Sequence, residues 1–150
     1  MADIDRPLSA RGQVDAGAVG SLLSARSLDC DLVLCSPALR TRETWDYARR
    51  AGAKARQVDY PGTIYEAAAS ELSVLVRATP AGVRTLMVVG HGPGLPQLAY
   101  WLGSGTRTPL LHELSQGYPT SGLARFSVAG DWADLNPAGC RLEAFEVPRG

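Results

Sequence analysis

The chain has 150 residues, 45% hydrophobic and 20% charged, and its 15 basic and 15 acidic side chains cancel. That length suits one domain with a substantial core, and the balanced charge gives no global field toward nucleic acid or an anionic membrane, so any anion site must be local. No apolar run has the length of a membrane span and Met1–Asp5 is not a signal-peptide start, so a cytoplasmic protein is expected.

In chain order, Ser9 to about Arg26 reads as a helix, with Ser9 as cap and Val14, Ala18, Val19, Leu22 and Leu23 recurring near helical spacing. Leu32–Cys35 is a short apolar run of the kind a strand buried on both faces shows. Ser36-Pro37 then reads as an N-cap followed by a first-turn proline, opening a helix that runs to about Arg50 and stops at Gly52. Residues 54–60 suit a strand and Ala67 to about Ala78 a helix; Thr85–Val89 suits a second buried strand and Leu95–Leu102 a helix closed by Gly103. From Gly103 to Thr120 the pattern is mostly loop. Leu123–Val128 and Leu142–Val147 then read as strands separated by turns near Gly130-Asp131 and Pro137-Ala138-Gly139. Alternating helices and buried strands predict an α/β fold with a largely parallel sheet, in which ligands bind beyond the carboxyl ends of the strands.

Cys30, Cys35 and Cys140 are an odd set without metal-ligand spacing, and read as buried structural thiols. Cys35-Ser36-Pro37-Ala38-Leu39-Arg40 is not a cysteine-phosphatase loop. Four residues separate Cys35 from Arg40 where five are needed; Thr41 stands at the required place, and no glycine lets the backbone wrap a phosphate.

Two strand-to-helix junctions look alike, one entering Ser36-Pro37 and the other Gly90-His91-Gly92-Pro93-Gly94. Each can aim helix N-terminal amides beyond the sheet. Arg40, early in its helix, can reach back over its strand end, so Arg40 and His91 are candidates to converge on an anion, with Gly92 and Gly94 permitting close backbone approach. Arg42 and Glu43 read as helix-surface residues, and Thr44 as packing or bonding a backbone carbonyl.

At these residues the chain resembles the histidine phosphatase superfamily, the phosphoglycerate-mutase-like fold, and within it the small bacterial SixA-type phosphohistidine phosphatases. The matching segments are Asp5-Arg6-Pro7-Leu8-Ser9 with Arg11-Gly12, Ser36 to Thr44, Ile64-Tyr65-Glu66-Ala67, and Val88 to Leu95. Pro119-Thr120, Trp132 and Pro148-Arg149 complete the set. The resemblance implies a single domain over residues 1–150, N-terminally incomplete. Its fold would be a three-layer α/β/α sandwich with a mostly parallel central sheet lacking its first strand. It also implies a metal-independent phosphatase that hydrolyses phosphohistidine or another phosphomonoester through a phosphohistidine intermediate, ordinary covalent catalysis. Cationic groups would hold the phosphoryl oxygens: Arg40 matches the second-motif arginine and His91 the second histidine, with Gly92 beside it. No cofactor and no metal are implied. The expected partners are a phosphorylated protein or a small phosphomonoester, with no nucleic acid, no membrane, and a monomeric or weakly dimeric state. Glu66 is the candidate general acid, although its position also suits a helix N-terminal residue favoured by the dipole.

The family's nucleophile sits in an Arg-His-Gly motif, and these 150 residues contain none. His112, the only other histidine, lies in Leu110–Leu114, which matches no catalytic motif and reads as surface or cap; Arg6 is not read as a replacement for the missing arginine. Met1 is therefore expected to fall within the loop that follows the nucleophile motif, with that strand encoded upstream and the chain inactive as written. The alternative from another class is a non-catalytic domain of the same fold that binds phosphate or a phosphoprotein.

Overall fold

The computed structural model describes residues 1–150. Contacts divide the chain into two compact units. One holds Met1–Tyr65, Val83–Gly90 and Pro148–Gly150; the other holds Glu66–Gly82 and His91–Val147.

The first unit carries helices α1 (Ala10–Ala25) and α2 (Leu39–Arg50) and strands β1 (Cys30–Cys35), β2 (Ala55–Asp59) and β3 (Leu86–Val89). The fold is α/β with a parallel sheet in the order β2-β1-β3. The central strand β1 is the most buried: Leu32, Val33, Leu34 and Cys35 are all inside, as a strand flanked on both edges requires. β3 was expected to be equally buried. All four of its residues are only half-buried, because it is the end strand of this sheet and pairs with β1 alone. Asp31 sets where β3 begins, its Oδ2 accepting from the Arg84 and Thr85 amides at 2.7 and 3.1 Å.

Ser9 caps α1 as expected, its side chain accepting from the Gly12 amide at 3.0 Å. The buried stripe of α1 differs from the periodic reading, however. Val14 is 51% exposed, while Asp15 is buried with Ala16, Val19 and Leu23. Asp15 tolerates burial because the Gly150 amide and the Arg11 Nε–H each reach its carboxylate at 3.2 Å. α1 lies close against α2: a Cβ at Gly20 would stand 2.0 Å from the Ala48 carbonyl oxygen. α2 ends at Arg50, and the chain turns away at Gly52, whose φ of +120° is open to glycine but strained for other residues.

The second unit carries α3 (Ala69–Arg77), α4 (Gly94–Gly103), α5 (Pro109–Gln116) and the antiparallel strands β4 (Leu123–Val128) and β5 (Cys140–Glu146), which pair only with each other. The segment read as mostly loop contains α5. Its signals are Pro109 at the first helical position after Thr108 and the triplet Leu110, Leu111 and Leu114. That triplet packs with Ala99, Leu142 and Phe145 in one apolar cluster, and burying this stripe stabilises so short a helix more than its intrinsic propensity does. No helix is long and apolar enough to cross a membrane.

Candidate phosphoryl-binding site

The parallel register pairs Cys35 with Val89, so the carboxyl ends of β1 and β3 lie side by side, and the Ser36 amide donates to the Val89 carbonyl at 2.9 Å. One strand continues into the turn that carries Arg40, the other into Gly90-His91. The turn after β1 is tighter than the capping pattern suggested. Ser36 does not cap α2, which starts at Leu39 after Ala38. Its Oγ instead accepts from the Ala38 amide at 3.3 Å, while the buried Thr41 hydroxyl spans the Ser36 and Ala38 carbonyls at 2.9 Å each. The Ala38 carbonyl also accepts from the Thr41 and Arg42 amides at 3.2 and 3.0 Å, and together these bonds fix the first turn of α2.

Arg40 is 23% exposed and is not a loose surface cation. Its Nη1 donates to the Asp3 carbonyl at 2.9 Å and its Nη2 to Asp3 Oδ2 at 3.3 Å. The same carboxylate accepts from the Tyr65 hydroxyl at 2.6 Å and pairs with Arg6 at 3.1 Å. The Tyr65 hydroxyl, opposed by burial and joined by Arg40 and Arg6, holds the Asp3 carboxyl below its ordinary range. Sequence reading singled out Arg40 and the Tyr65 segment but missed Asp3. The contact spans 37 positions and has no local pattern. Glu43, read as a surface residue, ties down the segment after Arg6 by accepting from the Leu8 amide at 2.9 Å. Thr44 bonds the Arg40 carbonyl at 2.7 Å, one of its two expected roles.

His91 lies between β3 and α4, half-buried, and its carbonyl accepts from the Leu95 amide at 2.9 Å in the first turn of α4. Gly92 is exposed, with nothing within 4 Å of a hypothetical Cβ, and is joined to Pro93 by a cis peptide bond. Gly94 does allow a close backbone approach, but the neighbour is protein: its Cβ would stand 2.0 Å from the Ala67 carbonyl oxygen.

Glu66 does not start α3. It is exposed, takes a left-handed φ of +62°, and precedes the helix. Glu71 accepts from the Ala68 amide at 3.0 Å and so serves the N-terminus of α3 instead. His112 is exposed on α5 and lines an open cleft of about 390 Å³ with Tyr100, Arg107 and Thr108, a cleft that includes neither His91 nor Glu66. The three cysteines are free and buried. Burial, only partly offset by Thr41 and Arg42, pushes the Cys35 thiol up to about 12, so it is no nucleophile near neutral pH.

No family model matches the chain. An uncharacterised protein of Mycobacterium tuberculosis (strain H37Rv) is 40% identical over 151 aligned positions, covering 99% of this chain and 93% of that protein. Among solved structures, a candidate phosphohistidine phosphatase SixA from Nakamurella multipartitia is 32% identical with a TM-score of 0.87, over 99% of this chain and 88% of that one. A candidate SixA from Agrobacterium tumefaciens is 30% identical with a TM-score of 0.78, over 99% and 87%. With identity and shape matching along nearly the whole chain, the protein belongs to the histidine phosphatase superfamily, in its SixA-type branch.

Proposed function

We propose that the chain provides the phosphoryl-binding residues of a metal-independent phosphohistidine or phosphomonoester phosphatase, with Arg40 and His91 each binding phosphoryl oxygens. The observation that carries this reading is the register of β1 and β3. It aligns Cys35 with Val89, so the residues leading to Arg40 and to His91 leave the sheet from adjacent strand ends. Ligands of open parallel sheets bind beyond these ends.

In this reading a guanidinium supplies planar donors to two oxygens of the group, and an imidazole supplies a further one. Both offset charge that builds on those oxygens during transfer. The attacking histidine of the family motif is not among these 150 residues, so the chain as written binds phosphoryl groups without forming a phosphohistidine.

Calorimetric titration with inorganic phosphate tests the binding claim. Arg40→Gln and His91→Ala should each weaken binding by roughly ten- to a hundredfold, since a hydrogen bond to a charged group contributes about 1.5–3 kcal/mol. Unchanged affinity in both variants discards the site. Incubation with a phosphate ester tests the catalytic claim: an acid-labile phosphoryl-protein and a product burst from this chain would refute it.

A further inference from the structure

Asp3 and Arg40 meet across 37 positions of the chain. Asp3 sits in a 3-10 turn, Asp3–Asp5, ahead of α1. It meets Arg40 at two acceptors, the backbone carbonyl at 2.9 Å and the carboxylate at 3.3 Å. Two N–H groups of the guanidinium are therefore taken, and its charge is already opposed, before any ligand arrives. The two contacts are not equal. The carbonyl bond is of ordinary length for N–H···O, whereas the carboxylate contact lies beyond the favourable range.

The carboxylate is held more firmly elsewhere. The Tyr65 hydroxyl donates to Oδ2 at 2.6 Å and Arg6 pairs with Oδ1 at 3.1 Å. Asp3 can thus release Arg40 without becoming unpaired, since two other donors keep it in place. Its side chain is 52% exposed, so water can take up the vacated oxygen. A carboxylate in this position presents to Arg40 the same acceptor type as a phosphoryl oxygen, with a single charge instead of up to two.

We propose that Asp3 is a resident counter-ion of Arg40 that competes with the phosphoryl ligand for the guanidinium, and so lowers the affinity of the site for anions. This rests on the reading above, that Arg40 binds phosphoryl oxygens. The competition is electrostatic and local: Arg6 and Arg40 bring two positive charges to the cluster and Asp3 one negative. A ligand that displaces the carboxylate from Arg40 leaves it on Tyr65 and Arg6.

The test is a double-mutant cycle on the 150-residue chain with inorganic phosphate as the probe, read by calorimetry at fixed ionic strength. Asp3→Asn keeps the backbone carbonyl, the shape and an acceptor for Tyr65, and removes the charge together with the oxygen that faces Arg6. It should tighten phosphate binding by roughly three- to tenfold. Asp3→Ala, which retains the backbone contact, should shift affinity in the same direction. In an Arg40→Gln background the Asp3→Asn effect should fall below about twofold, because the competed-for group is gone. Far-UV circular dichroism establishes that each variant is folded.

If Arg40→Gln weakens binding but Asp3→Asn leaves it unchanged or weaker, the competition is overturned: Asp3 then orients Arg40 or is indifferent to the ligand, and the reading of Arg40 stands. If Arg40→Gln has no effect on phosphate affinity, the reading of Arg40 fails and the competition fails with it.

Discussion

Gly94 and Gly92 stand two residues apart in the segment that leads from His91 into α4, yet alanine should affect them oppositely. A Cβ on Gly94 would lie 2.0 Å from the Ala67 carbonyl oxygen and 3.1 Å from its carbon. The oxygen contact must open by about 1 Å before it reaches the shortest separations real Cβ atoms show. Both partners are backbone, so no side chain can rotate away and one segment must move. Overpacking of this kind costs about 1–3 kcal/mol. Against it stands about 0.4–1 kcal/mol from the lower unfolded-state entropy of alanine. Gly94→Ala should therefore destabilise by about 1–2 kcal/mol, a loss of roughly 2–8 °C in Tm for a chain of this size. Gly92→Ala has open space around it and should leave stability within about 0.5 kcal/mol or raise it slightly. Thermal and urea unfolding followed by far-UV circular dichroism measures both. Displacing the start of α4 also moves the Leu95 amide that bonds the His91 carbonyl, so Gly94→Ala should weaken phosphate binding while Gly92→Ala retains it. A Gly94→Ala protein that melts within about 1 °C of the native chain, or a Gly92→Ala protein that melts more than about 2 °C below it, would refute the packing argument.

The same logic applies in α1. Gly17→Ala meets nothing within 4 Å and should stabilise by about 0.5–1 kcal/mol through helix propensity, whereas Gly20→Ala collides with the Ala48 backbone and should cost about 1–3 kcal/mol; equal urea midpoints would contradict the α1–α2 contact. The thiols should be inert in the native state. Burial, with the Asp29 and Asp31 charges, pushes Cys30 up to about 11, and Cys35 is raised further. At pH 8 iodoacetamide should therefore leave the native chain unmodified over a period in which the urea-unfolded chain takes up three labels, and rapid labelling of native Cys35 would be incompatible with its place in the core.

Local patterns located most elements because their causes are local. Ser9 caps α1 through the amide three residues on, and the apolar run that ends in Cys35 has no way to satisfy both faces except inside a sheet. Gly52 turns the chain away after α2 because few other residues take its φ. Where the reading failed, the deciding group was distant. α5 forms because Leu110, Leu111 and Leu114 find Leu142 and Phe145, and nothing between Gly103 and Thr120 reveals that partner. Val14 faces outward because Asp15 is drawn in by Gly150, 135 positions away.

The site divides along the same line. Arg40 and His91 could be named from sequence, since strand-to-helix junctions with these residue types form a motif carried in a few consecutive positions. What surrounds them could not. That Arg40 is held by Asp3, that Glu43 ties back Leu8, and that Gly94 yields space to Ala67 instead of to a ligand all depend on backbone atoms brought together by the chain's return. A short motif specifies which chemistry a residue can perform. The tertiary structure decides which other groups reach it, because hydrogen bonds and van der Waals contacts act over a few ångströms in space, whatever the separation along the chain.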